Sequence, residues 1–170
     1  MYSPRRALPA FFFAGAFFVS GVGFATSSYA DGGCHRVHGR IQSSFTSINC
    51  ASPVGLCTEG MITGDALLDS ATTFLALDVA PSAGISAVEP AANLSYSGVL
   101  TIKTRRGTLV THDLGVLDAA TASFTEMERP ASGTGIFANQ SSVFFISGAI
   151  VNNGTGFDGE LYGELCIGSE

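Results

Sequence analysis

The side chain best suited to acid–base chemistry at neutral pH is His112, because histidine changes its charge near that pH. It lies in an alternating segment in which Val110, Leu114 and Val116 occupy the same face as His112. If that apolar face lines the interior of a sheet, His112 points into it and can act as a general base or orient a ligand. The simpler alternative is a hydrogen-bonded histidine of the core. Asp113 points the other way if the strand is regular.

Tyr96 and Glu126 are the other candidates for this chemistry. Tyr96 lies in the apolar set of the segment that precedes His112, so its hydroxyl either reaches the same cavity or caps a core aromatic residue. Glu126 and Glu128 share the parity of Phe124, so one of them can point inward. A carboxyl group in apolar surroundings has a raised pKa and can serve as an acid. The alternative is that both acids are solvated at a strand end.

Signatures of the common catalytic and metal sites are missing from the sequence. It contains no Gly-x-Ser-x-Gly, no His-Glu-x-x-His and no phosphate-binding loop. His35 and His38 are three residues apart, which brings two side chains together on a helix but separates them on a strand. We therefore expect no metal site and no cofactor.

The N-terminal segment has the pattern of a secretory signal peptide. Arg5 and Arg6 precede an apolar stretch over residues 7–24, and small residues at Ser28 and Ala30 form a cleavage site. We predict a signal peptide over residues 1–30, cleaved after Ala30, and a single domain over residues 31–170 that is secreted or periplasmic. The alternative is an uncleaved membrane anchor; after cleavage we expect no stable membrane insertion.

The charge of the remaining chain excludes two classes of partner. Without the two arginines of the signal, six Lys and Arg stand against fourteen Asp and Glu, a net charge of −8 with His neutral. An acidic surface of this kind repels the phosphates of nucleic acids and of anionic lipids. We expect neither partner, while a homo-oligomer stays open.

All four cysteines lie after the signal, and an even number in an exported chain favours two disulfides. We predict that Cys50 pairs with Cys57 across a short loop and that Cys34 pairs with Cys166, near the other end of the chain. Cys34 and Cys166 both have the parity of the polar residues in their segments, so a bond on the outer surface of a closed sheet is reasonable. A zinc site is the alternative, but CxxC pairs are absent.

The elements that must position these residues are strands. Segments with a period of two residues alternate with turns, and no segment has the 3.6-residue period of an amphipathic helix. The predicted strands are Arg36–Gln42, Gly60–Leu68, Thr73–Val79, Leu94–Thr104, Thr108–Leu117, Ser123–Glu128, Val143–Val151 and Phe157–Ile167. Pro81–Pro90 is predicted to be a loop. Short connections and glycines inside strands favour an all-β fold, an antiparallel eight-stranded up-and-down barrel, over a β-sandwich.

The C-terminal part of the chain resembles a known group of proteins. Gly133-Thr134-Gly135-Ile136-Phe137, then Ile146-Ser147-Gly148, then Phe157-Asp158-Gly159-Glu160 with Gly163 are similar to the allene oxide cyclase and dirigent-like barrels. The likeness covers residues 94–167. An arginine usually follows the first motif in dirigent proteins, where this chain has Ala138-Asn139-Gln140. The resemblance implies an eight-stranded barrel whose apolar lumen holds a small hydrophobic ligand and, in some members, directs a cyclisation.

Two functions follow as hypotheses. The first is an exported, disulfide-bonded barrel that binds a small hydrophobic molecule in its lumen, with Tyr96, His112, Phe124 and Phe145 as ligand contacts, or that serves only as a stable surface or extracellular module. The alternative is a cofactor-independent cyclase or isomerase that acts in the lumen, with His112, Tyr96 and Glu126 as candidate catalytic residues. A lumen packed solid with Phe and Leu excludes catalysis inside it, whereas a pocket above ~300 Å³ lined by convergent polar groups supports it.

Overall fold

A computed structural model describes residues 33–81 and 93–168. They form a closed antiparallel barrel in which each strand pairs with its neighbours in chain order. The eight strands are β1 (Gly33–Thr46), β2 (Cys57–Thr63), β3 (Ser70–Pro81), β4 (Asn93–Thr104), β5 (Gly107–Asp118), β6 (Ser123–Gly133), β7 (Ser141–Val151) and β8 (Gly156–Ile167). The barrel prediction is confirmed and the sandwich is excluded. The predicted signal peptide and residues 82–90 of the predicted loop lie outside the described residues.

The barrel closes where the first strand meets the last. β1 and β8 pair without interruption from Gly33 opposite Ile167 to Ser44 opposite Gly156. Cys34 lies opposite Cys166 in this register, and the two form a disulfide. Cys34 is exposed on the outer surface, as its parity predicts. Closure leaves the sheet without an edge strand.

The second predicted disulfide is also present. Cys50 and Cys57 are bonded across the connection from β1 to β2.

β2 ends at Thr63, several residues before the predicted Leu68, because Gly64 adopts a positive φ of 90° and turns the chain. Asp65 then organises the connection to β3, since its carboxylate accepts hydrogen bonds from the amides of Leu67 at 2.8 Å and Leu68 at 3.1 Å.

One end of the barrel, where β1 begins and β8 ends, is filled with apolar side chains; we call it the plugged end. The Gly-x-Gly-x-Phe motif forms a short 3-10 turn over Gly135–Phe137 that inserts Phe137 into the interior, where it is completely buried. A Cβ at Gly133 would overlap with the carbonyl of Phe137, so glycine is needed for this close approach. The core around Phe137 includes Val37, Ile62, Leu68, Ile102, Leu109, Phe144 and Leu165.

Helix is almost absent from the described residues. The two helical segments there are the 3-10 turns Gly135–Phe137 and Asn152–Gly154. No helix in this part of the chain is long and apolar enough to cross a membrane.

The inward face of β5 is the opposite of the predicted one. Val110, His112 and Leu114 do share a face, but that face is outside, where Leu114 is 59% exposed. The register with β4 decides this, because residues paired across antiparallel strands lie on the same face. Tyr96 of β4 points inward and lies opposite Gly115.

β6 is longer than predicted. It continues past Glu128 and through Pro130 to Gly133. The β5–β6 register shifts between Val110 and Thr111, and Pro130 lies opposite Thr111 at this irregularity, the kind of position that tolerates proline in a sheet. Glu128 therefore lies within the strand and not at its end.

Candidate functional site

A cavity of about 130 Å³ occupies the barrel interior away from the plugged end, and we call this the cavity end. Its walls are almost wholly apolar. They include Phe45, Leu56, Phe74, Ala76, Leu94, Leu100, Leu117, Phe124, Ile150 and Phe157, with Tyr96 and Glu126 among the few polar residues. An apolar cavity of ~150 Å³ in another protein stays dry and binds benzene. This cavity is therefore large enough for a ligand, or part of a ligand, of about that size.

Tyr96 and Glu126 form the principal polar contact of the cavity wall. The Tyr96 hydroxyl donates a hydrogen bond of 2.8 Å to Oε2 of Glu126. Burial raises the pKa of Tyr96 above its usual range, and the charge of the neighbouring Glu126 acts in the same direction. Tyr96 is therefore a neutral hydrogen-bond donor at all ordinary pH values.

Three acids lie together on the inner face of β5 and β6, and we call them the acid cluster: Asp113, Glu126 and Glu128. One carboxylate oxygen from each lies within 4.8 Å of the others. Asp113 is 6% exposed, Glu126 7% and Glu128 0%. The Thr111 hydroxyl makes a short hydrogen bond to Oε2 of Glu128. Glu126 belongs to both the cluster and the cavity wall, so it joins the two features.

Burial is the main reason that the cluster holds protons more tightly than ordinary acids. It raises the pKa of Asp113 to about 7, and the nearby backbone amides of Gly98 and Asp113 offset this only in part. Burial and then the charge of Asp113 raise the pKa of Glu126 to about 8. Burial, followed by the charges of Glu126 and Asp113, raises the pKa of Glu128 well above its usual range.

Several oxygens of the cluster have no hydrogen-bond partner. Among the described residues, nothing donates with acceptable geometry to either carboxylate oxygen of Asp113 or to Oε1 of Glu128. Buried polar atoms are normally paired, so unpaired ones need an explanation. No basic side chain of the described part of the chain contributes to the pKa shifts of these acids.

Three of the residues predicted from the sequence do meet in the interior. Tyr96, Phe124 and Glu126 all line the cavity. Their inward orientation, including that of Glu126 on the face of Phe124, agrees with the parity argument. Whether a ligand contacts them stays a prediction.

The interior positions predicted for His112 and Phe145 are wrong. His112 is exposed on the outer face of β5. Phe145 lies on the outer face of β7 and stacks on Tyr162 of β8, with ring centroids 5.8 Å apart. β7 pairs with β8 so that Phe144 lies opposite Gly163 and Ile146 lies opposite Leu161. Phe144 and Ile146 therefore point inward, and Phe145 between them points outward. Neither predicted residue can contact a ligand in the lumen from its position.

Comparisons of the chain with protein-family models, curated proteins and solved structures found no match. The similarity to allene oxide cyclase and dirigent-like barrels therefore stays a prediction.

Sequence reasoning missed Asp113 as an interior residue and placed Glu128 at a strand end. A signal for β5 was present in the glycines. A Cβ at Gly115 would overlap with the Tyr96 ring, and one at Gly98 would overlap with the Phe74 ring. Pairing Tyr96 with Gly115 puts Asp113 on the inner face, because residues two apart on a strand share a face. Matching large aromatic residues with glycines on the next strand would have identified that face.

Proposed function

We propose that this protein is an exported, disulfide-bonded barrel that binds a small hydrophobic molecule in its lumen. The observation that carries the proposal is the apolar cavity of about 130 Å³ at the cavity end. Side chains can fill the interior of an eight-stranded barrel completely. They do so at the plugged end of this barrel, whereas the cavity end keeps an open space. Transfer of apolar ligand surface from water into such a cavity is favourable.

The cavity supports a ligand with an apolar body and, at most, one polar group. Phe124, Leu117 and Phe157 supply apolar contacts, while Tyr96 and Glu126 supply one hydrogen-bonding position. Ligand sites of this type combine apolar walls with a few placed polar groups. A small phenol or alcohol can use both parts, whereas a plain hydrocarbon uses only the walls.

The proposal is tested with two tryptophan variants of one strand. Leu117 lines the cavity, whereas Leu114, three residues earlier, is on the outer face. Native mass spectrometry of the protein from its own host should show a co-purifying apolar ligand, and calorimetry should show binding of toluene and of 4-methylphenol to the purified protein. Leu117→Trp should fill the cavity and abolish binding, while Leu114→Trp should bind as the wild type does.

Toluene and 4-methylphenol also report on the polar contact. If the Tyr96–Glu126 pair contacts the ligand, 4-methylphenol binds more tightly, and Tyr96→Phe removes the difference. Failure of both probes to bind, with no ligand in the native material, would contradict the proposal. Equal binding by the two tryptophan variants would place the ligand outside the cavity.

The second candidate function is a cofactor-independent cyclase or isomerase. The observation that favours it is the pair Tyr96 and Glu126 on the wall of an otherwise apolar cavity. Its third candidate residue, His112, is outside the barrel and cannot take part. Turnover of an apolar substrate that Tyr96→Phe and Glu126→Gln both abolish, while His112→Ala leaves it unchanged, would establish this function.

Export is the remaining part of the proposal. Two disulfides support it, because such bonds persist mainly in oxidising compartments. The mature protein should begin at Asp31 by N-terminal sequencing, and thiol titration without reductant should detect no free cysteine. An intact N-terminus in material from the cytoplasm would contradict export.

A further inference from the structure

The oxygens of the acid cluster are close enough to surround one ion. One oxygen each from Asp113, Glu126 and Glu128 lies within 4.8 Å of the other two. Ca²⁺ binds oxygen at about 2.3–2.6 Å, so ligands on opposite sides of it are about 4.6–5.2 Å apart and adjacent ligands are closer. A single ion can therefore contact all three carboxylates without a rearrangement of the strands.

A second observation is that the cluster lacks partners. Both carboxylate oxygens of Asp113 and Oε1 of Glu128 are buried and unpaired in the described part of the chain. Asp113 is 6% exposed and Glu128 is completely buried, and each places a carboxylate oxygen within 4.8 Å of the other and of Glu126. Buried polar atoms are normally paired, and a bound cation reverses the local pKa shifts so that nearby carboxyl groups ionise. A cation at the centre of the cluster would supply the missing partner of Asp113 and of Oε1 of Glu128.

We propose that Asp113, Glu126 and Glu128 form a buried site for one hard divalent cation, with Ca²⁺ as the preferred ion. The ligands are all oxygen atoms, which Ca²⁺ prefers, whereas zinc and copper favour nitrogen and sulfur. The hydroxyls of Thr111 and Tyr96 bond to two of the carboxylates and orient them. Glu126 also lines the cavity, so the cluster adjoins the cavity.

A second group of potential ligands among the described residues carries no such site. Cys34, Glu164 and Cys166 lie together, but the two cysteines form a disulfide and have no thiolate to offer. Thiolate is the form of cysteine that binds metals.

Tb³⁺ is a suitable probe, because it replaces Ca²⁺ at oxygen sites and its luminescence is excited through a nearby tyrosine. The chain has no tryptophan, and Tyr96 donates a hydrogen bond to a proposed ligand. In the disulfide-bonded protein, we expect saturable Tb³⁺ luminescence with one ion per chain and its displacement by Ca²⁺. Tyr96→Phe should remove the luminescence, and Tyr162→Phe, on the outer face, should not.

Charge-removing variants locate the ion. Asp113→Asn and Glu128→Gln should each weaken Tb³⁺ binding by at least about tenfold, because each removes a charged ligand. Glu160→Gln, an exposed acid on β8, is the matched control and should leave the affinity unchanged. Circular dichroism checks that each variant keeps the barrel.

The wild-type protein gives a test that needs no variant. Ca²⁺ should raise its melting temperature in proportion to the logarithm of the ion concentration above the dissociation constant, and a chelator should reverse this. No saturable luminescence together with no effect of Ca²⁺ on melting would overturn the proposal. Equal weakening by Glu160→Gln and Asp113→Asn would also overturn it, by showing adventitious binding at the surface. No apolar ligand is used, so the result is independent of ligand binding in the lumen.

Discussion

The two ends of the barrel interior differ although the same eight strands build both. At the plugged end, Phe137 enters from the 3-10 turn between β6 and β7 and is completely buried. At the cavity end, Phe45 and Phe157 surround a space of about 130 Å³. The comparison teaches that the strands alone do not determine whether the lumen is solid. At the plugged end, two connections contribute buried side chains: Phe137 comes from the turn between β6 and β7, and Leu67 and Leu68 come from the connection between β2 and β3.

Removal of the disulfides is expected to cause the largest change in the free energy of unfolding. One disulfide is near each end of the barrel. Cys34–Cys166 closes a separation of 132 residues at the plugged end, and Cys50–Cys57 closes one of 7 near the cavity. In the chain-entropy model the first stabilises the fold by about 5 kcal/mol and the second by ~2 kcal/mol. Urea unfolding of the two double serine variants measures this difference. Equal losses would show that the loop length does not control it.

The next effect tests the plug itself. Phe137→Ala should lower the free energy of unfolding by about 3–5 kcal/mol, since it leaves a void in a closed core. Phe157→Ala, in the wall of the cavity, should cost less than half as much because the space there is already partly empty. Denaturant melts of both variants provide the comparison. A larger loss for Phe157→Ala would mean that the cavity end, and not the plugged end, limits stability.

The acid cluster between the two ends predicts a pH dependence. The pKa of Asp113 is raised to about 7 and that of Glu126 to about 8, so in the absence of metal the folded protein keeps protons that the unfolded chain releases near pH 4. Stability should therefore be highest below the unfolded pKa and fall as the pH rises, by about 1.4 kcal/mol per pH unit for each such proton, up to the folded pKa.

Melting in a chelating buffer between pH 4 and 9 measures this dependence. Glu126→Gln should flatten it, because it removes one of the titrating groups, and Glu160→Gln on the exterior should not. Stability that increases over this range would contradict the predicted sign.

The smallest effect concerns the outer face. His112→Ala should change the free energy of unfolding by less than about 0.5 kcal/mol, as expected for an exposed position. It should also leave toluene binding unchanged, whereas Leu117→Trp abolishes it. A loss of binding in His112→Ala would contradict the assignment of the two faces of β5.

Much of the fold was predictable from the sequence. The strictly alternating segment around Leu161 and Glu160 defines its inner and outer faces, because a shift by one residue would bury several acids. The disulfide between Cys34 and Cys166 was also predictable, from parity and from the even number of cysteines. The candidate site was predictable only in part. Tyr96 and Glu126 were found, but Asp113 was placed outside.

The errors share a physical cause. Val110, His112 and Leu114 form a more apolar row than Thr111 and Asp113, so the hydrophobic pattern of β5 favours the wrong face. The segment around Phe144 and Phe145 is apolar on both faces, so its pattern does not show which of its residues point inward. In both strands the inward face is determined by pairing with a neighbouring strand. The hydrophobic pattern of one segment does not contain that information.

The sequence by itself predicted the number of strands and the two disulfides, because period-two patterning is a local property and the short loop between Cys50 and Cys57 leaves Cys34 to pair with Cys166. Pairing with β4 decided which face of β5 turns inward, since Tyr96 needs the space beside Gly115 and this pairing carries Asp113 into the interior. Tertiary structure also decided that three acids would meet there. Their proximity depends on the register of β5 and β6, which pairs Asp113 with Glu128 and Gly115 with Glu126.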